Sequence, residues 1–200
     1  MAGIQMSEAK AISASFRRAA MKNGTFQDFT AHDTNFAEAL LVDSRFHQAR
    51  FYDVNFSDAD LTGAQFYHAR LHHTKFNGAA LVAVNFTGSN INHCGFPVAR
   101  VGDAKFTRAE ITQCIFRDAD LRGCDFREVR MRGSDFCRAV LEGAKFGRAH
   151  LATADFRGAN LRGAREMTAE MLMQCLTDNH TILPNGKRGP YMKFSGAERP

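Results

Sequence analysis

Histidine and aspartate recur along this chain at intervals of 20 residues, in the pairs His32-Asp33, Tyr52-Asp53, His72-His73 and Asn92-His93. Imidazole and carboxylate are both ligands that zinc accepts near 2.0 to 2.2 Å, and imidazole also gains charge below about pH 6.5. If Asp33, Asp53, His73 and His93 stack in one column, that column is either a polar solvated surface or a metal- or proton-responsive one, with His73, His93 and Asp53 as the ligands. Either outcome requires a backbone that returns to the same place after every 20 residues. Other chemistry is not apparent. There is no phosphate-cradling GxxxxGK[ST] or GxGxxG segment. The five cysteines are odd in number and lack CxxC spacing, which argues against a disulfide framework and against a thiolate zinc site.

The element that could return in this way is visible in the apolar residues. Every fifth position from Phe16 to Leu161 is a large apolar side chain except Ala31, a run of 30 positions. A helix advancing 100° per residue would scatter them around its axis, and a flat strand would put them on alternate faces. Only a chain that turns a corner in each pentad can aim them all inward, so the repeat must coil around its own core as a solenoid. With the apolar centre called i, position i−2 is small, and 17 of the 30 are Ala. The only bulky one, Phe29, shares a pentad with Ala31, so large and small have traded places there. Cys94, Cys114 and Cys124 also occupy i−2, where packing as reduced thiols is their expected role. Phe takes every second centre from Phe16 to Phe156, and Leu41, Leu81, Ile91, Ile111 and Leu141 typify the alternate ones. A 20-residue coil then sets Phe stacks on two opposite walls and mostly aliphatic stacks on the other two.

The segments Ala59-Asp60-Leu61-Thr62-Gly63, Ala119-Asp120-Leu121-Arg122-Gly123 and Ala159-Asn160-Leu161-Arg162-Gly163 read A(D/N)LXX and resemble the pentapeptide-repeat family over about three quarters of the chain. The resemblance implies an all-β fold, a right-handed quadrilateral β-helix of about 7.5 coils. Some members of that family, linked to quinolone resistance, are acidic rods taken to imitate DNA at gyrase or topoisomerase IV, and part of the family dimerises through its C-terminus.

The boundaries follow from where the period holds. Residues 1–13 are expected as an N-terminal cap with Met6, Ala9 and Ile12 covering the first coil, and residues 14–164 as the β-helix. Residues 165–186 are expected as a capping helix and turn, with Thr168 as N-cap, Glu170 in its first turn and Met171, Leu172, Cys175 and Leu176 on one face. Residues 187–200 read as a loose basic tail. Met171, Met173 and Leu176 could pair two rods as a homodimer. The start has neither a basic n-region nor an apolar h-region, and no stretch has membrane-spanning length, so a bacterial cytoplasmic protein without a membrane partner is expected.

Charge narrows the function. The chain carries a formal +5 at pH 7, where imitation of a polyanion needs uncompensated carboxylates. Residues 101–165 hold 13 basic and 9 acidic side chains, too thin a surplus for a duplex footprint. Arg117, Arg122, Arg127 and Arg132, five apart, form a belt around one coil and not a stripe. Catalytic residue types would lie on the outside of a rod filled by its own core, without water exclusion. The sequence therefore predicts a non-enzymatic, cofactor-free scaffold that presents a rigid β-helical surface to a protein partner. The alternatives are a DNA-mimicking topoisomerase binder and a metal- or proton-responsive surface.

Overall fold

The computed structural model describes residues 3–193 and 195–200. Met1 and Ala2 of the expected cap and Phe194 of the expected tail lie outside the described residues. Seven three-residue strands stack in sequence order as one parallel sheet: β1 (Lys10–Ile12), β2 (Thr30–His32), β3 (Arg50–Tyr52), β4 (Arg70–His72), β5 (Asn90–Asn92), β6 (Glu110–Thr112) and β7 (Arg130–Arg132). Their register advances by 20 residues per strand, with Phe51 opposite Leu71 and Leu71 opposite Ile91. The other three walls are ladders of single parallel bridges at the same interval, as in Asn35↔Asn55, Leu40↔Asp60 and Arg45↔Gln65. Four walls per turn make the quadrilateral β-helix that the five-residue period predicts.

The ladder starts earlier than the cap boundary allowed. Gln5 bridges Thr25 and β1 pairs with β2, so residues 5–13 are already a coil. Ala11 takes the inward place, and Ile12, expected to cover the core, is exposed. The apolar signal had faded because the centres here are Met6 and Ala11, with no Phe.

Two Phe stacks fill the interior. From Phe16 to Phe156, rings on successive coils lie 4.5 to 5.2 Å apart. From Phe26 to Phe146 the spacing is 4.7 to 5.4 Å. The stacks meet edge to face across the core, as in Phe76–Phe86 at 6.2 Å and 80°, the geometry that aromatic quadrupoles favour. Phe29 and Ala31 are both fully buried. The Phe29 ring reaches Phe26, Phe36 and Phe51, occupying the space that Ala31 leaves.

Corners come in two kinds. On the three bridged walls the N–H of i+3 donates to the carbonyl of i, as Ala39 to Phe36 at 3.1 Å and Ala49 to Phe46 at 3.2 Å. On the β1–β7 wall the corner is wider, and the carbonyl on its strand side takes a side-chain donor from the next pentad. Thr34 Oγ1 donates to the His32 carbonyl at 2.8 Å, Thr74 Oγ1 to His72 at 3.4 Å, and Cys94 Sγ to Asn92 at 3.3 Å. The cysteines expected as plain packing residues thus include donors. At both corner kinds i+2 lies in the left-handed region, including Asp33, Asp53, His73 and His93 at φ between 47° and 54°. Asp, Asn and His are the non-glycine residues that tolerate this region best.

The end of the rod is a lid. The helix α1 (Ala169–Met173) is one turn, N-capped by the Thr168 side chain, which accepts from Met171 N–H, with Glu170 in the first turn. Leu172 is buried, Met171 and Cys175 pack partly on the core, and Leu176 is exposed. Leu176 belongs to the ladder instead of the helix, bridging Asp155, as Ile182 bridges Asn160. The backbone therefore completes another partial coil after the side-chain period has failed. The described residues of 187–200 are not a loose tail: Arg188 pairs antiparallel with Ile182, Tyr191 N–H donates to Thr177 Oγ1 at 2.9 Å, Tyr191 packs against the core and Ala197 is buried.

Asp178 fastens the lid to the last coil. Its Oδ1 accepts from the Gly158 N–H at 2.9 Å, the Thr181 N–H at 2.9 Å and the His180 N–H at 3.0 Å. Partial desolvation pushes its pKa up, but these donors and the Thr181 hydroxyl outweigh that and hold it at about 2. A carboxyl depressed from its ordinary value near 4 favours the folded lid fully above that pH and loses this contribution as pH falls toward 2. Hydrogen-exchange protection at Gly158, His180 and Thr181 is expected to fall below about pH 4 in the wild type, and to be low at every pH in Asp178→Ala. Equal protection in the two proteins would contradict the clasp. For the exchanged pentad, Phe29→Ala should destabilise by about 3–5 kcal/mol in thermal or denaturant unfolding. Adding Ala31→Phe should recover more than half of that loss, and an additive further loss would refute the volume exchange.

Candidate functional site

The wide corner of the β1–β7 wall gathers four of the chain's eight imidazoles. Strands β2 to β5 place His32, Tyr52, His72 and Asn92 opposite one another in register, and the next residue of each pentad, Asp33, Asp53, His73 or His93, turns the corner. The column expected from the sequence exists, but it divides. In its lower half His32 stacks on Tyr52 at 4.6 Å and 11°. In its upper half His73 stacks on His93 at 5.0 Å, and His72 lies edge-on to His73 at 4.2 Å and 5.8 Å from His93.

One ligand nitrogen from each of His72, His73 and His93 lies within 4.8 Å of the others. The set expected from the sequence, His73, His93 and Asp53, differs from this one in having Asp53 in place of His72. Asp53 instead lines an open groove of about 370 Å³ together with His73, Lys75, His93, Pro97 and Ile115. His72 was missed because it sits at i+1, on the strand side of the corner, and the column was traced through i+2 alone. Beside it in register, Asn92 Oδ1 is buried and has no hydrogen-bond partner among the described residues.

Elsewhere, seven of the nine acidic groups in residues 101–165 pair with an arginine. An Asp at i−1 and an Arg at i+1 are two residues apart on an extended segment and share a side, which gives the fork pairs Arg122–Asp120, Arg127–Asp125 and Arg157–Asp155 at 2.5 to 2.6 Å. Successive coils add Arg138–Asp118 and Arg108–Glu128. The arginine side chains hold these carboxyls below their ordinary values. Three of the four belt arginines, Arg117, Arg122 and Arg127, are therefore paired with Asp135, Asp120 and Asp125. All five cysteines are free, and burial pushes the Cys114 and Cys124 thiols up, away from reactivity. Among the described residues, no helix is long and apolar enough to cross a membrane.

A four-walled rod with its interior filled, and with polar groups confined to its walls and corners, belongs to the repeat solenoids. Two family profiles specify which. "Pentapeptide repeat region" matches residues 49–123 and "Pentapeptide repeats (8 copies)" matches residues 104–143 and 138–165, and the chain belongs to the pentapeptide-repeat family. Among solved structures it is similar to QnrB1, a plasmid-mediated fluoroquinolone resistance protein, with 20% identity, 90% of this chain and 93% of that chain covered, and a TM-score of 0.60. It is also similar to HetL, a pentapeptide repeat protein involved in heterocyst differentiation regulation from the cyanobacterium Nostoc, with 21% identity, 94% and 92% covered, and a TM-score of 0.50. A pentapeptide repeat protein of the Arabidopsis thaliana thylakoid lumen matches with 23% identity, 57% and 79% covered, and a TM-score of 0.50. No curated protein sequence matches the chain significantly. At these identities the likeness is one of fold.

Proposed function

We propose that this protein is a non-enzymatic binding scaffold that presents one wall of a rigid β-helix to a protein partner in the bacterial cytoplasm. The observation that carries the reading is an apolar island on the wall behind Phe96 and Phe116. Val98 is 66% exposed and Ile115 is 48% exposed; Gly95, paired with Ile115 on the next coil, and Pro97 lie on the same coil as Val98. Lys75, Arg117 and Asp118 stand at its rim. A flat centre of apolar side chains inside a charged margin is the composition of a protein interface. The interior supports the same reading: side chains from Phe26 to Leu161 fill it, so ligands have the outer surface alone.

Imitation of DNA gains no support from the charge distribution, because many of the carboxylates already carry an arginine partner. The lid favours a second contact. Met173 is 47% exposed and Leu176 is 52% exposed, while Met171 is partly used by the core, so Met173 and Leu176 are the residues through which two rods would join end to end.

In a pull-down from the native host, the wild-type chain is expected to retain one partner near stoichiometry. Val98→Glu/Ile115→Glu should lose at least tenfold of it while keeping its circular dichroism and unfolding temperature. Retention of the partner by the double variant would contradict the assigned wall, and gyrase subunits in the captured fraction would move the reading to DNA mimicry. For the lid contact, light scattering should show a concentration-dependent dimer that Leu176→Glu abolishes, and a monomer at every concentration would remove it.

A further inference from the structure

We propose that His72, His73 and His93 bind one divalent transition-metal ion of the zinc and copper class. The three rings come from two neighbouring coils that the ladder already holds in register, β4 opposite β5. Their nearest nitrogens lie within 4.8 Å of one another, whereas nitrogens bound at 2.0–2.1 Å around a tetrahedral ion stand about 3.3 Å apart. Closing that difference needs ring rotation on fixed backbone, since His72 and His73 are consecutive and His93 stacks on His73 at 5.0 Å. None of the three rings makes a hydrogen bond among the described residues that would have to be broken first.

The surroundings define what would be bound. Three nitrogen donors select imidazole-loving ions over calcium and magnesium, which require oxygen cages. Asn92 Oδ1, buried and unpartnered next to His72 in register, is an acceptor in reach of an outer-sphere role, where such groups orient a ligand ring or a metal-bound water. Asp53 lines the adjoining groove and contributes negative charge, and Lys75 in the same groove opposes it. An exposed site with a lysine beside it holds metal more weakly than a closed structural zinc site does. Both donor strands belong to one wall, so a bound ion would clamp neighbouring coils at the rod's middle.

The test is isothermal titration of the tag-free full chain with zinc and, separately, copper, with calcium and magnesium as controls. One zinc or copper ion per chain is expected, with no calcium or magnesium uptake. His72→Ala and the His73→Ala/His93→Ala double variant should each weaken uptake at least tenfold, with circular dichroism showing an intact β-helix. Asp53→Ala should weaken it less than threefold. Zinc should raise the unfolding temperature of the wild type and not of the double variant. Absent uptake by the wild type, or equal uptake by the double variant, would overturn the site. Loss in Asp53→Ala with none in His72→Ala would overturn the three-imidazole assignment.

Discussion

Hydrogen bonds between successive coils set a rise of about 4.8 Å, and that rise is also the distance at which parallel aromatic rings touch. The Phe columns realise the coincidence, as at Phe96–Phe116 with rings 4.5 Å apart and 5° from parallel. Backbone and core therefore enforce the same register. A slip of one pentad would move Phe into an aliphatic column, and a slip of one residue would turn the centres outward and break the inward fit of the small i−2 residues. The two Phe columns touching edge to face across the axis fill the interior without a void for a ligand.

The same constraint decides where chemistry can occur. Inward positions are occupied by packing, apart from small hydroxyls at i−2 such as Thr34, Ser44 and Thr74 that donate to backbone carbonyls, so charged side chains are left with i−1, i+1 and i+2. At i+2 the left-handed backbone further selects Asp, Asn, His and Gly, which is why ligand-capable side chains collect at corners in columns. His73 and His93 of the imidazole cluster are products of that selection, whereas His72 and the stacked pair His32–Tyr52 stand at i+1 on the strand side of the corner. The walls between corners carry Asp and Arg two residues apart in three places, and these pair with each other. The proposed recognition surface lies where this pattern lapses, at the exposed Val98 and Ile115.

Most of the fold was legible because a single interval, five, governs the core. The Phe29/Ala31 exchange could be read as compensated, since both residues face the same interior. What escaped depended on features with no side-chain period. The first coil was mistaken for a cap because Ala11 buries too little to stand out, and the last partial coil was hidden because Leu176 and Ile182 pair through backbone after an inserted helical turn. The donor role of Thr34, Thr74 and Cys94 could have been suspected from their 20-residue column, yet it depends on one wall having a wider corner, which composition does not reveal. His72 was overlooked for a related reason: ligands from the strand side and the corner side converge only once the corner's shape is known.

The account stands on coils that advance by a constant rise every 20 residues. Spin labels at Asp28, Arg108 and Arg148, all in one corner column, measure that rise directly in a chain whose native cysteines are replaced by alanine. Four coils separate Asp28 from Arg108 and six separate Asp28 from Arg148, so the backbone separations expected are about 19 Å and about 29 Å. Distances in that ratio would match a rod with one rise per coil. A second distance equal to or shorter than the first would contradict the solenoid, and with it the placement of every surface residue discussed above.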